Sequence, residues 1–141
     1  VADAEQHVTL ESLVRATKAT ERADRAGAIA TFTGRVRAKD GDEDARTTHL
    51  EFETYEDVAD ERMRAIESEL EGRDGVFDVR MFHRTGVVPD GEDIVFVVVL
   101  AGHREEAFRT VEDGINRLKD EVPIFKKERT VDGEFWVHDR E

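Results

Sequence analysis

Apolar residues recur along this chain with two periods. Ala59, Met63, Ile66 and Leu70 stand at i, i+4, i+7 and i+11, one stripe of a 3.6-residue repeat. The spacing predicts a helix from Asp57, as N-cap, to about Glu71, closed by Gly72–Gly75. Ala107, Phe108, Val111, Ile115 and Leu118 form a second stripe and predict a helix over Glu105–Asp120, which Pro123 prevents from continuing. A short helix from the Thr9 cap to about Lys18 carries Leu10, Leu13 and Val14 on one face. Two-residue alternation marks strands. Thr48, Leu50 and Phe52 alternate with polar residues in Thr47–Thr54, and Phe77, Val79, Met81 and His83 share a face in Val76–Arg84. Ala28–Arg37 reads as a strand opened by Gly27. Ile94–Ala101 is almost wholly apolar, as a central strand buried on both faces would be. Ile124–Thr130, a turn at Asp132-Gly133 and Glu134–His138 read as a hairpin. Pro89-Asp90-Gly91-Glu92 is a turn, residues 19–26 a polar connection, and 38–46 a charged loop without apolar residues.

The predicted order is α-β-β-α-β-β-α-β-β. No repeat or linker divides it, so the expected fold is a single α+β domain with a mixed or antiparallel sheet and three helices. Residues 1–26 supply an N-terminal helix and connection, and 27–141 the body of the domain.

Composition narrows the function. The 141 residues hold 34 acids against 21 Lys and Arg, a formal charge of −13. A general nucleic-acid binder needs a basic surface, and an anionic membrane attracts one, so both partner classes are disfavoured. No stretch approaches the ~20 apolar residues of a membrane span, no charged-then-apolar leader opens the stretch given, and a cytoplasmic protein is the expectation. The absence of cysteine excludes disulfides, thiolate metal sites and a cysteine nucleophile. The acids are spread evenly, 17 in residues 1–70 and 17 in 71–141. That favours a heavily solvated surface, as in proteins adapted to high salt, over a dock for a basic partner. The cations are uneven. Only five are Lys, and three of these, Lys119, Lys126 and Lys127, fall within nine residues.

Three stretches could carry chemistry. His103 and Arg104 follow the apolar strand at a helix start, where free N–H groups and the dipole suit phosphate or carboxylate. Spacing alone favours the plainer reading, a polar turn with two exposed side chains. Residues 117–129 hold five cations (Arg117, Lys119, Lys126, Lys127, Arg129) and three acids (Asp120, Glu121, Glu128), a local +2 within a −13 chain. A lysine becomes a nucleophile or general base when burial or nearby cations lower its pKa. On a strand, Lys126 and Lys127 point to opposite faces, so one can face a pocket while the other is solvated or paired. The last stretch is Gly34-Arg35-Val36-Arg37, where alternation puts both arginines on one face. The alternative is a surface strand with two solvated arginines. The five histidines lack metal-ligand spacing, so no metal is assigned. His83-Arg84 reads as a strand-end pair rather than a catalytic dyad, and Phe135 and Trp136 as hairpin packing. G-x-S-x-G, P-loop and dinucleotide fingerprints are absent.

Taken together, GAIATFTGRVR (Gly27–Arg37), HRTG (His83–Gly86), AGHREEAF (Ala101–Phe108), LKDEVPIFKKE (Leu118–Glu128) and DGEFWV (Asp132–Val137) resemble the large, catalytic subunit of molybdopterin synthase, the MoaE family. The chain departs from the family pattern at Phe125, often Trp, and in its acidic 38–46 loop. The resemblance implies an α/β-hammerhead type of fold. It implies a sulfurtransferase that converts cyclic pyranopterin monophosphate to the dithiolene of molybdopterin. The sulfur comes from a thiocarboxylate on the C-terminal Gly-Gly of a small ubiquitin-like subunit. It implies a homodimer at the centre of a heterotetramer, with no cofactor. By motif position, the substrate pocket carries onto Arg35, Val36, Arg37, His103, Arg104, Lys119, Lys126, Lys127 and Glu128. Lys119 would act as acid/base or capture the partner's acyl group, Lys126 would stabilise developing negative charge, and Arg37, His103 and Arg104 would hold the phosphate. The competing class is a non-catalytic module that binds a ubiquitin-like protein or an anionic metabolite.

Overall fold

A computed structural model describes residues 1–3, 8–38 and 46–137. The elements are α1 (Leu10–Lys18), β1 (Ala28–Arg35), β2 (Thr47–Thr54), α2 (Glu56–Glu71), β3 (Val76–His83), β4 (Gly86–Pro89), β5 (Asp93–Ala101), α3 (Arg104–Glu121), β6 (Ile124–Thr130) and β7 (Gly133–Val137). The strands divide between two antiparallel sheets, ordered β1-β5-β3 and β4-β2-β6-β7. Residues 39–45 of the charged loop, and His138 of the expected last strand, lie outside the described residues.

The apolar run of β5 becomes the middle strand of the first sheet, as its composition requires. Val97 and Val99 face a core with Met63, Ile66 and Leu70 of α2 and Ala107, Ile115 and Leu118 of α3. Val98 and Leu100, equally buried, face the other way, and α1 packs across β5 and β3. Thr9 caps α1 by accepting the Ser12 N–H at 3.1 Å. Helix α3 lies close on the sheet because Gly114 is in its path. A Cβ there would stand 3.1 Å from Val97 Cγ1.

Several expectations shift. Tyr55, not Asp57, precedes α2, without a side-chain cap bond. Asp57 sits in the first turn, where its charge still suits the helix dipole. A register break between Val76 and Asp78 removes Phe77 from the face of Val79 and Met81, and the Arg22 guanidinium lies over its ring at 5.3 Å. Phe108 is 64% exposed, and the buried stripe of α3 runs through Thr110 and Gly114 instead. Strand β4 was not expected. Its four residues pair with β2, beginning at Gly86, which has φ +78°.

A second, smaller core of Val36, Phe52 and Val88 lies between the sheets. Ile94 and Ile124 pack against both cores and so join them. Among the described residues, no helix is long and apolar enough to cross a membrane.

Candidate active site

The seam between the sheets opens into a cavity of about 810 Å³, within the ordinary range for small-molecule sites. Two of the three candidate stretches, 34–37 and 117–129, bring cations to it. Strand β1 is displaced in register between Gly34 and Arg35 and ends there, and Arg35 and Arg37 both line the cavity. Arg35 is steadied by donating from Nη2 to the Gly91 carbonyl oxygen at 2.9 Å. Gly91 has φ +81°, which glycine adopts without strain in the β4–β5 turn. Lys119 comes from the last turn of α3. Val122 caps that helix and Pro123 ends it, so that β6 turns back along β2. Lys126 then falls opposite Phe52 in the ladder and points into the cavity.

Strand alternation separates the two adjacent lysines. Lys127 pairs with Glu51 and Trp136 across the ladder, and its Nζ stands 4.8 Å from the centre of the Trp136 ring. It does not line the cavity. Glu128 does, with one carboxylate oxygen accepting a hydrogen bond from the Thr47 hydroxyl. Among the described residues, the charged wall is therefore Arg35, Arg37, Lys119 and Lys126 against Glu128 and Asp132. This positive balance is not the one counted along the sequence. Arg117 is held by Glu121 at 2.6 Å and Glu69 at 3.0 Å, and Arg129 by Glu134 at 3.3 Å, both away from the cavity.

Val36 is also off the cavity surface. Its side chain is buried in the smaller core. Its N–H donates to the Glu92 carbonyl oxygen at 2.9 Å, and its own carbonyl oxygen accepts from the Gly91 N–H at 2.7 Å. His103 and Arg104 lie at the opposite end of α3 from Lys119. Fifteen residues at ~1.5 Å each put about 22 Å between the two ends. Their side chains are 82% and 81% exposed, 3.9 Å from Glu106 and Glu105 respectively. Within one chain they do not meet the lysines.

His83, which spacing left as a strand-end residue, forms part of the cavity wall. Its ring stands edge-on to Phe52 at 4.9 Å, and Nδ1 is 2.7 Å from the Arg84 carbonyl oxygen. Burial lowers its pKa to about 4 against the pull of that hydrogen bond, and the N-terminal amine, Lys126 and Lys119 lower it further. The alternation through Val79 and Met81 already placed His83 inward. What the sequence lacked was the topology that sets the end of β3 against β2. Among the described residues, no group of three or more His, Asp or Glu is arranged to hold a metal ion. The arrangement suits a phosphorylated or carboxylated ligand, with two arginines for bidentate contact and two lysines as point charges.

The profile of the MoaE protein family matches residues 4–121. A probable molybdopterin synthase of Haloferax volcanii is 70% identical over 96% of this chain, and the chain spans about half that protein's length, 52%. The molybdopterin synthase catalytic subunit of Bacillus subtilis is 40% identical over 82% of this chain and 72% of its own. A crystal structure of molybdopterin synthase from Staphylococcus aureus superposes with a TM-score of 0.83 at 30% identity, covering 98% of this chain and 96% of that one. The matched span takes in β1, α2 and the whole of α3 with Lys119, and on that footing the chain belongs to the MoaE family.

Proposed function

We propose that this chain is the catalytic subunit of a molybdopterin synthase. It would transfer sulfur from the C-terminal Gly-Gly thiocarboxylate of a small ubiquitin-like subunit to cyclic pyranopterin monophosphate, forming the dithiolene of molybdopterin. The observation that carries the reading is the convergence of Arg35, Arg37, Lys119 and Lys126 on one cavity of a strongly acidic MoaE chain. An anionic substrate gives those cations a reason to gather.

Arg35 and Arg37 hold the phosphate. Lys126 stabilises negative charge as it develops on the ring. Lys119, half-buried beside other cations, works at the thiocarboxylate. Its nitrogen either moves a proton during sulfur attack or takes the partner's acyl group as an isopeptide once sulfur has bonded to the ring. An isopeptide adduct in the intact mass of a single-turnover mixture marks the second role, and product without adduct marks the first. Glu128, fixed by Thr47, keeps a carboxylate among the cations. His103 and Arg104 serve the cavity of a second copy, so the working unit is a homodimer with one small subunit at each end. The reading carries a cytoplasmic location with it.

The test is to mix the protein with thiocarboxylated small subunit and cyclic pyranopterin monophosphate and to follow dithiolene product. Wild-type protein forms it, and Lys119→Ala loses turnover while keeping its melting temperature. Normal product from Lys119→Ala refutes the role of Lys119. Tight binding of the small subunit by wild-type protein, without conversion, favours the non-catalytic module instead.

A further inference from the structure

One group in the cavity wall has no part in that chemistry. His83 ends β3, and its Nδ1 lies 2.7 Å from the Arg84 carbonyl oxygen. A carbonyl oxygen only accepts, so Nδ1 carries the proton, and in the neutral ring Nε2 keeps its lone pair. The ring rests against Phe52, which is the ladder partner of Lys126. His83, Lys119 and Lys126 line the same cavity. An uncharged acceptor thus lines the same cavity as two flexible ammonium donors.

We propose that His83 is a positioning residue for Lys126: its Nε2 accepts a hydrogen bond from the Lys126 ammonium and holds that charge where negative charge develops on the substrate. The inference rests on the sulfur-transfer reading of the cavity. A lysine ammonium sits on a flexible four-carbon stem, and its catalytic value depends on where it is held. A carboxylate would hold it more strongly but would cancel its field. A neutral imidazole fixes the ammonium and leaves its charge for the substrate. The ring does not take the lysine's proton. With a pKa of about 4, roughly one His83 ring in a thousand is protonated at pH 7. Its task is orientation.

His83→Asn keeps an N–H for the Arg84 carbonyl and lacks the Nε2 acceptor. His83→Gln extends an amide oxygen to the position of Nε2. With thiocarboxylated small subunit and cyclic pyranopterin monophosphate, His83→Asn should lower kcat about 10- to 100-fold. Its pterin KM and melting temperature should stay near wild-type values, and His83→Gln should recover part of the loss. A His83→Asn protein within about two-fold of wild-type kcat overturns the proposal. A second measurement needs neither variant to fold. The ¹⁵N resonances of His83 in wild-type protein should show a protonated Nδ1 and an unprotonated Nε2 whose signal moves in Lys126→Ala. A protonated Nε2, or a signal that Lys126→Ala leaves in place, overturns it. If the wild-type protein forms no dithiolene, the sulfur-transfer reading fails, and the resonances still decide the contact.

Discussion

Glu67 on α2 should destabilise the fold at neutral pH, and Glu67→Gln should relieve that. The carboxylate is buried between α2 and β3, where it accepts the Met81 N–H at 2.7 Å and meets Arg64 at 3.2 Å. Burial raises its pKa from 4.5 to about 7, outweighing the lowering by Arg64 and by the Met81 hydrogen bond. Below pH 4.5 the group is protonated in both the folded and the unfolded chain and has no effect. Between 4.5 and 7 the unfolded chain has released its proton and the folded chain keeps it, so stability falls as pH rises. At about 1.4 kcal/mol per pH unit, the displacement amounts to about 3 kcal/mol above pH 7. A glutamine keeps an oxygen for Met81 N–H, never ionises, loses the Arg64 pair and adds an amide donor that costs about 1 kcal/mol if unpaired. The expected net gain is about 1–2 kcal/mol at pH 8, shrinking toward zero at pH 5.5. Urea unfolding at fixed salt and protein concentration, over pH 5.5–8, measures it for both proteins. Parallel pH curves, or a Glu67→Gln protein less stable at pH 8, refute the reasoning.

Gly114→Val should cost about 1–3 kcal/mol in the same assay, because even a Cβ at that site presses on buried Val97. A melting temperature equal to wild type would show that α3 can lift away from the sheet freely. With a charge of −13, the fold should gain stability as KCl is raised from 0.1 to 2 M, through screening of self-repulsion. A melting temperature indifferent to salt would contradict that. Arg104→Ala and Lys119→Ala, each of low activity alone, should regain about a quarter of wild-type activity per site when copies are mixed, if cavities are completed across a dimer. No recovery in verified mixed dimers would mean that His103 and Arg104 do not serve the second cavity.

The strongest periodicities were the most legible. The stripe of Ala59, Met63, Ile66 and Leu70 and the apolar run of β5 both became core, because each needs only a local repeat and a partner of any kind. The misplacements at Phe77 and Phe108 are tertiary. A strand bulge turned one residue off its face, and no layer covers the other. Charge along the chain pointed to the right neighbourhood through mixed members. Arg117, Lys127 and Arg129 contributed to the count yet are engaged elsewhere. Arg35 and Arg37 reach the cavity from some eighty residues away, through a sheet register that sequence does not print. The seam between β3 and β2 made His83 part of the cavity, and nothing local to it could have said so.

Lys126 and Lys127 are neighbours of equal charge whose side chains leave β6 in opposite directions, one into the cavity and one onto Trp136. Single-turnover dithiolene formation by the two alanine variants separates cavity geometry from mere local charge. Lys126→Ala should lose at least a hundredfold in rate, and Lys127→Ala should stay within about threefold of wild type. Equal losses in the two variants would contradict a reaction centred on this cavity.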